Sequence, residues 1–303
     1  MEPQAFLPGI YPRSEALVQA TRDLDRGRTT VAAVDAQVAG ALEQVVSAQQ
    51  AAGLDLLADG MLRWQDLFRP LVEASSGLEP GALTRFLDTN TFFRAPHATG
   101  DRPQLGAPLD ARCIAPLPGP RLVTLPSPFA FARGTGLRLR AIAEGVLKPQ
   151  LAALDAELVV LSEPFLAREE GADLGELAEA LEALAGGPEL ALQITFGDAS
   201  PLLERGLADL PLAGIGVDFY ATRATGVPEG FPKLLLAGVV DARSSAPEDP
   251  REIAAFVGGL RERGIERIAL VPNGDLQYVS EPIAREKIAR LGAAKLATAE
   301  VAA

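Results

Sequence analysis

Apolar residues along the chain follow two periods. Short apolar runs at 6–10, 54–58, 121–125, 157–161, 190–195, 214–218, 233–240 and 267–271 read as buried strands, and each ends in a polar or proline-bearing turn. Between most of them apolar residues recur every three or four positions, as on a helix with one core-facing stripe. Leu17 and Val18 mark a helix after Ser14, and Val31, Val34, Val38, Leu42 and Val45 mark one over 30–52. Leu139, Ile142, Val146 and Leu147 belong to a helix from about Thr135, and Leu174, Leu177, Leu181 and Leu184 to the next. A short helix is expected after Asp198, another at Asp249-Pro250, where Asp caps and Pro fits the first turn, and a last one at Ser280.

The stretch from Gly53 to Leu67 is the unit in miniature. It predicts a strand over 54–58, a turn at Asp59-Gly60 and a helix opening at about Leu62. Asp59, Met61, Arg63 and Asp66 then lie at a strand's carboxyl end, where parallel α/β proteins bind ligands. Residues 77–120 break the alternation with many prolines and glycines and apolar pieces near 86–93 and 112–115. They predict a β-hairpin excursion after the second β/α unit, placed to act as a lid. Eight strands in 303 residues give the arithmetic of one (β/α)8 TIM barrel domain spanning 1–303, with an open doubly wound sheet as the alternative. No glycine-rich dinucleotide or phosphate fingerprint follows any strand.

Composition narrows the chemistry. The formal net charge is −12 and no Lys/Arg run exceeds a pair, which argues against nucleic-acid or anionic-membrane partners and leaves small molecules. A lone cysteine, Cys113, suits a reducing compartment. No apolar run reaches about 18 residues and Met1-Glu2-Pro3-Gln4 lacks a basic start, so a cytoplasmic location is expected. With one histidine and one cysteine, an ordinary zinc site is not expected, whereas oxygen ligands for Mg²⁺ are plentiful. Oligomeric state is left open.

In a barrel, the strand ends gather a polar ring at one mouth. Glu163, Asp218, Asp241 and Tyr220 are the catalytic candidates, and Arg13, Asp59, Arg63, Asp66, Ser162, Gln193, Thr195, Arg243, Asn273 and Asp275 the binding candidates; no metal ligand is assigned. Carboxylates sharing one cavity raise each other's pKa, so one can act as general acid, unless Arg13, Arg63 and Arg243 simply pair with them. Singly, each is as readily a cap or a satisfied buried polar group. His97 reads as a loop histidine, Cys113 as a packed strand residue, and Trp64 as core, lid or stacking surface.

Six segments carry a resemblance: Pro-Gly-Ile-Tyr-Pro-Arg-Ser at 8–14, Gly-Leu-Asp-Leu-Leu-Ala-Asp-Gly at 53–60 with Arg63 and Asp66, Thr-Asn-Thr-Phe-Phe-Arg-Ala-Pro at 89–96, Ser-Glu-Pro at 162–164, Gly-Val-Val-Asp-Ala-Arg-Ser at 238–244 and Val-Pro-Asn-Gly-Asp-Leu at 271–276. In order and spacing they resemble the C-terminal catalytic barrel of cobalamin-independent methionine synthase, in its short single-domain branch. The resemblance implies methyl transfer from 5-methyltetrahydrofolate to homocysteine, whose thiol a zinc ion activates. The family's zinc-ligand positions look like Gln193, Thr195, Asp218 and Gly274 here, and its homocysteine-holding positions look like Ile10, Met61 and Ser162. Gln, Thr, Asp and Gly do not make a zinc site, and a thiol of pKa about 8.5 needs a cation to become a ready nucleophile. The expectation is therefore a zinc-independent methyltransferase, folate-linked, with a different acceptor. Arg63, Asp66, Glu163, Asp241 and Arg243 are retained. Two alternatives stay open: a metal-free or Mg²⁺-dependent lyase or decarboxylase on the same barrel, and a non-catalytic small-molecule-binding homologue.

Overall fold

A computed structural model describes residues 2–302. The chain opens with β1 (Gln4–Ala5), α1 (Glu15–Asp25) and α2 (Val31–Ala51). Ser14 and Thr30 cap the two helices, each accepting a first-turn N–H. α3 (Arg69–Glu73) leads into β2 (Ser75–Ser76), β3 (Leu78–Arg85), β4 (Phe92–Ala98) and β5 (Gln104–Leu105). β3 and β4 pair antiparallel, as do β2 and β5.

From β6 (Leu122–Pro126) onward strands and helices alternate. α4 (Pro128–Ala132), α5 (Leu139–Ile142) and α6 (Lys148–Ala152) precede β7 (Leu158–Glu163). α7 (Leu174–Ala183), β8 (Glu189–Ile194), α8 (Ser200–Glu204), β9 (Gly214–Asp218) and β10 (Leu234–Val240) follow. The chain ends with α9 (Pro250–Glu262), β11 (Ile268–Pro272) and α10 (Glu281–Ala302). Among the described residues no helix is long and apolar enough to cross a membrane.

Seven strands form one curled parallel sheet in the order β1-β11-β10-β9-β8-β7-β6. The expected second strand differs. Residues 54–58 meet β1 through the bridge Phe6–Leu56 and the β6 edge through Leu57–Arg121, both parallel, without forming a ladder. The reason lies in what satisfies its backbone. The Gln49 side chain both donates to Ala58 O and accepts from Ala58 N, so one amide replaces a neighbouring strand. The Asp55 carboxylate accepts from Ala5 N and, on its other oxygen, from Lys295 Nζ of α10 at 2.6 Å.

Two further expectations shift. The helix expected from Leu62 begins at Arg69, because Met61 takes φ +51 and Asp66 caps the N–H groups of Phe68 and Arg69. Val31, placed on the core stripe, is 47% exposed, while Val34 and Val45 are buried.

Strand alternation builds two apolar layers. Phe6, Leu56, Ala58, Leu122, Leu158, Val160, Ala191, Leu234, Leu236, Ala269 and Val271 form a separate cluster inside the curl. Their alternate neighbours, such as Val159, Leu161 and Leu235, pack under the helices.

Candidate functional site

Continuing the inward parity past the apolar layer reaches polar residues at the carboxyl ends. Thr124, Ser162, Gln193 and Asp218 follow Leu122, Val160, Ala191 and Gly216 two positions on, and all four are buried. Gln193 Nε2 donates to Pro272 O at 2.8 Å. Asn273, in the loop after β11, donates from Nδ2 to Asp218 Oδ1 at 3.0 Å and accepts at Oδ1 from Ala242 N at 2.8 Å. Asn273 fits there because position 238 is glycine: a Cβ would lie 2.9 Å from Asn273 Cα. Asp218 Oδ1 also accepts from Tyr220 N, while Oδ2 is buried with no partner. Burial pushes this carboxyl above its ordinary value, against the pull of the Asn273 and Tyr220 bonds. Thr195, just beyond β8, is buried beside this floor.

Glu163 is one residue past the inward Ser162 and points the other way, into the helix layer. Its Oε2 accepts from Ser127 Oγ and Ala130 N, and its Oε1 from Phe165 N and Leu166 N at 2.8 and 2.9 Å. Both oxygens are spent on tying down the start of α4 and the turn after β7. Burial raises its carboxyl, opposed by those four bonds.

Above the floor lies an aromatic plug that the sequence reading did not assign to the site. Phe86 and Phe93, from the β3–β4 hairpin, meet Phe165, Phe196 and Tyr278, contributed by three strand-end loops. Phe86 lies 5.4 Å from Phe93, 5.8 Å from Phe165, 6.1 Å from Phe196 and 6.3 Å from Tyr278, ring centre to ring centre. The space left beside Asp66, Phe86, Phe93 and Asp275 is about 10 Å³, at the lower edge of what one water needs. The hairpin tip is held electrostatically: Asp88 lies 3.7 Å from both Arg168 and Arg243. Arg243 also sits over the Phe196 ring at 4.9 Å, and Arg133 over Phe165 at 4.8 Å. The signal was present in the apolar piece at 86–93, where Phe86 and Phe93, two of its three phenylalanines, lie on either side of the acidic turn.

The remaining candidates scatter around this centre. Asp59 caps the turn, accepting from Met61 N and Ala115 N, and burial raises its carboxyl. Asp66 joins α3 to the hairpin by accepting from Arg94 N. Arg63 and Arg112 share Asp35 on α2. Asp275 accepts from Gln277, and burial pushes its carboxyl up to about 6. Tyr220 and Asp241 line a separate groove of about 380 Å³ against α9, with Phe219, Phe256 and Glu248. Arg13 lines a cleft of about 530 Å³ on the side of the first loop. His97 is an exposed β4 residue 4.0 Å from Glu79, and Trp64 is buried, donating to Cys113 O.

Three comparisons bear on the site. No family model matches the chain. It is 29% identical over 283 residues to the 5-methyltetrahydropteroyltriglutamate--homocysteine methyltransferase of Mycobacterium tuberculosis H37Rv, an alignment covering 78% of this chain and 37% of that protein. Its homologues are cobalamin-independent methionine synthases. The Mycolicibacterium paratuberculosis enzyme of the same name is 28% identical over 296 residues, covering 80% of this chain and 39% of that protein. The chain thus spans little more than a third of the curated relatives it matches. Among solved structures, a B12-independent methionine synthase from Shewanella, in complex with selenomethionine, superposes with TM-score 0.73 at 17% identity, covering 91% of each chain. A putative vitamin-B12-independent methionine synthase from Listeria monocytogenes gives 0.72 at 14%, covering 98% of each. These structures show that the curled α/β fold is that of the methionine-synthase barrels.

The positions that the resemblance assigns to a methionine-synthase zinc site have the wrong donors for it. Gln193 has committed its amide N–H to Pro272, Thr195 offers a hydroxyl, and Asp218 a single carboxylate. Gly274 offers nothing, and the Phe196 ring lies 3.6 Å from where its side chain would begin. Among the described residues no three His, Cys, Asp or Glu are grouped to hold a metal ion. This set does not fit zinc, which proteins hold with three or four ligands drawn from thiolate, imidazole and carboxylate.

Proposed function

We propose that the protein is a methionine-synthase-like methyltransferase, linked to 5-methyltetrahydrofolate and independent of zinc, whose small-molecule acceptor is not zinc-activated homocysteine. The observation that supports this reading is Asp218, a buried carboxylate with one unpartnered oxygen at a position where the resemblance puts a metal ligand. An unsatisfied buried oxygen costs about 1–3 kcal/mol, and a bound N–H or O–H donor would remove that cost. Such a donor is an amine or hydroxyl acceptor, not a thiol that depends on a cation.

In this reading Asp218 takes the proton from the acceptor as the acceptor–methyl bond forms and the methyl–N5 bond breaks. The leaving amine needs a proton. Asp275, with its carboxyl raised to about 6, holds one in a usable fraction of molecules near neutrality and supplies it. Gln193, Thr195 and Asn273 orient the acceptor, Asp66 anchors the hairpin, and Arg243 holds the lid through Asp88. Glu163 positions the loop after β7 and touches no reactant. Entry of either substrate requires the hairpin to swing away, since Phe86 fills the mouth.

The filled mouth also favours a second reading, in which the hairpin stays shut and the protein is a non-catalytic homologue. Calorimetric titration of 5-methyltetrahydrofolate, with metal content measured on the same sample, separates the two. Binding without zinc, followed by loss of label from methyl-labelled folate to an amine or hydroxyl compound, is the expected result. Absence of binding would favour the second reading. Methionine formation from homocysteine on adding zinc, at ordinary enzymatic rates, would overturn zinc independence.

A further inference from the structure

The groove against α9 has aromatic walls and an acidic lining. Phe219 and Phe256 meet edge to face, ring centres 4.9 Å apart, and Tyr220, 52% exposed, lines the same space. Asp241, Glu248, Asp249 and Glu252 line it as well. Asp249 caps α9 through Arg251 N and Glu252 sits in its first turn, so these two more than offset the half positive charge of the helix N-terminus. Among the described residues Lys287 is the only cation in ion-pair contact with the four carboxylates. It is buried and outside the lining, with Nζ 2.6 Å from Glu248 Oε1 and 3.1 Å from Ala246 O. One lysine against Asp241 and Glu248 leaves the groove with surplus negative charge.

Glu248 is the side chain whose bonding is incomplete. Its Oε1 accepts from Lys287 Nζ and from Asp241 N, the latter at 2.9 Å. Burial, together with the Glu248 and Asp241 charges, pushes the Tyr220 hydroxyl up to about 12, so both carboxylates lie close to that ring. The Glu248 side chain is 9% exposed, yet its Oε2 has no hydrogen-bond partner among the described residues. A buried carboxylate oxygen without a donor is destabilising, and a ligand N–H would satisfy it. Tyr220 gives the path: its hydroxyl donates to Val239 O at 3.3 Å, a long bond on an exposed ring, so the ring turns aside at little cost.

We infer that this groove binds an organic ammonium ion, its nitrogen between Asp241 and Glu248 and its carbon body against Phe219, Tyr220 and Phe256. The carboxylates supply the counter-charge, and ring faces attract a cation as well as its alkyl part. The volume of about 380 Å³ falls within the range of small-molecule sites. A bare metal ion fits less well, because among the described residues no three His, Cys, Asp or Glu are grouped to hold one. The groove excludes Gln193, Asp218 and the rest of the polar floor, and the inference does not depend on the methyl-transfer reading.

The test titrates n-butylamine, tetramethylammonium and n-butanol separately into the full chain near neutral pH, followed by calorimetry and amide NMR shifts. Butylamine should bind the wild type with shifts centred on residues 219–220, 241–249 and 252–256, and added salt should weaken it. Butanol, of the same shape without the charge, should bind about tenfold more weakly or not at all. Asp241→Asn keeps the acceptor for Arg243 N and removes one charge, and Glu248→Gln removes the other. Each should weaken butylamine by about threefold to tenfold; should Glu248→Gln unfold for want of its bond to Lys287, Asp241→Asn decides alone. Binding of tetramethylammonium, which has no N–H, assigns the grip to charge and ring faces, and binding of butylamine alone assigns it to donation to the carboxylates. Absence of binding by both cations, butanol binding as tightly as butylamine, or equal binding to wild type and Asp241→Asn overturns the inference.

Discussion

Asn273 holds Asp218 from across the sheet, its Nδ2 3.0 Å from Oδ1, so the loop after β11 steadies the end of β9. Asn273→Ala removes that donor and leaves Asp218 with backbone bonds alone. A loss of about 1–3 kcal/mol in urea unfolding at pH 7 is expected. The Asn273 bond pulls the Asp218 carboxyl down, so its removal raises a carboxyl that burial already raises. A carboxyl raised on folding costs stability as pH climbs through its folded pKa. The deficit of the variant should therefore be larger at pH 8 than at pH 5; a pH-independent deficit would contradict this account.

Glu163→Gln tests the capping role. The amide keeps one acceptor but turns an NH₂ toward N–H donors that the carboxylate accepted. The expected cost is about 2–4 kcal/mol of stability, from lost charge-assisted bonds and an unpaired buried donor. A stable variant with altered chemistry would instead restore Glu163 as a proton donor.

Phe86→Ala removes the centre of the aromatic plug. A packed phenylalanine truncated in a core costs about 3–5 kcal/mol, and the vacated mouth should bind a hydrophobic dye. A cost below about 1 kcal/mol would mean that the hairpin already stands open in solution.

Asp88→Ala cuts the tip from Arg168 and Arg243. These pairs are partly exposed and 3.7 Å long, so global stability should fall by less than about 1 kcal/mol. Amide exchange at 86–93 should nevertheless quicken, and high salt should quicken it in the wild type as well. Unchanged exchange would remove the latch from the mechanism.

Asp275→Asn tests the raised carboxyl directly. Its pKa rises from an ordinary 3.8 to about 6, so folding favours the protonated form and stability falls as pH rises through that interval. The variant should be more stable than wild type at pH 7.5, by about 1–2 kcal/mol after allowance for residual solvation, and equal to it at pH 4. Thermal unfolding at the two values measures this.

The strand and helix pattern was legible because period and burial coincide over β6 to β11, where each run is mainly apolar and the polar residues fall near the carboxyl ends of several. The 54–58 segment carries the same apolar signal, yet its neighbours are a side-chain amide and two point bridges, which no local pattern encodes. Of the polar strand-end residues, Asn273 bonds Asp218 and Gln193 bonds Pro272, the residue before Asn273. The sequence reading grouped Glu163 with them because adjacent residues look alike in a list of polar ends, while a pleated strand sends Ser162 and Glu163 to opposite faces. Tyr220 and Asp241 were likewise grouped with the mouth but line a groove outside it. The plug was hidden because Phe86 and Phe196 are 110 positions apart and meet only through the hairpin's reach.

Gln49 has a consequence for how the ring of strands is assembled. β6 to β11 are joined strand to strand, while the first 58 residues reach them through the short β1–β11 pairing, the contacts of 54–58 and a bond from Gly9 N to Thr124 Oγ1. Those contacts are among the most distant in sequence, Gln4 opposite Ala269 and Asp55 clasped by Lys295, so their closure is entropically costly. The amino-terminal leaf is accordingly the last to dock and the first to peel away, with both chain ends fastened at one seam. Gln49→Ala would then hasten unfolding while leaving the refolding rate nearly untouched, a kinetic asymmetry that stopped-flow measurements can refute.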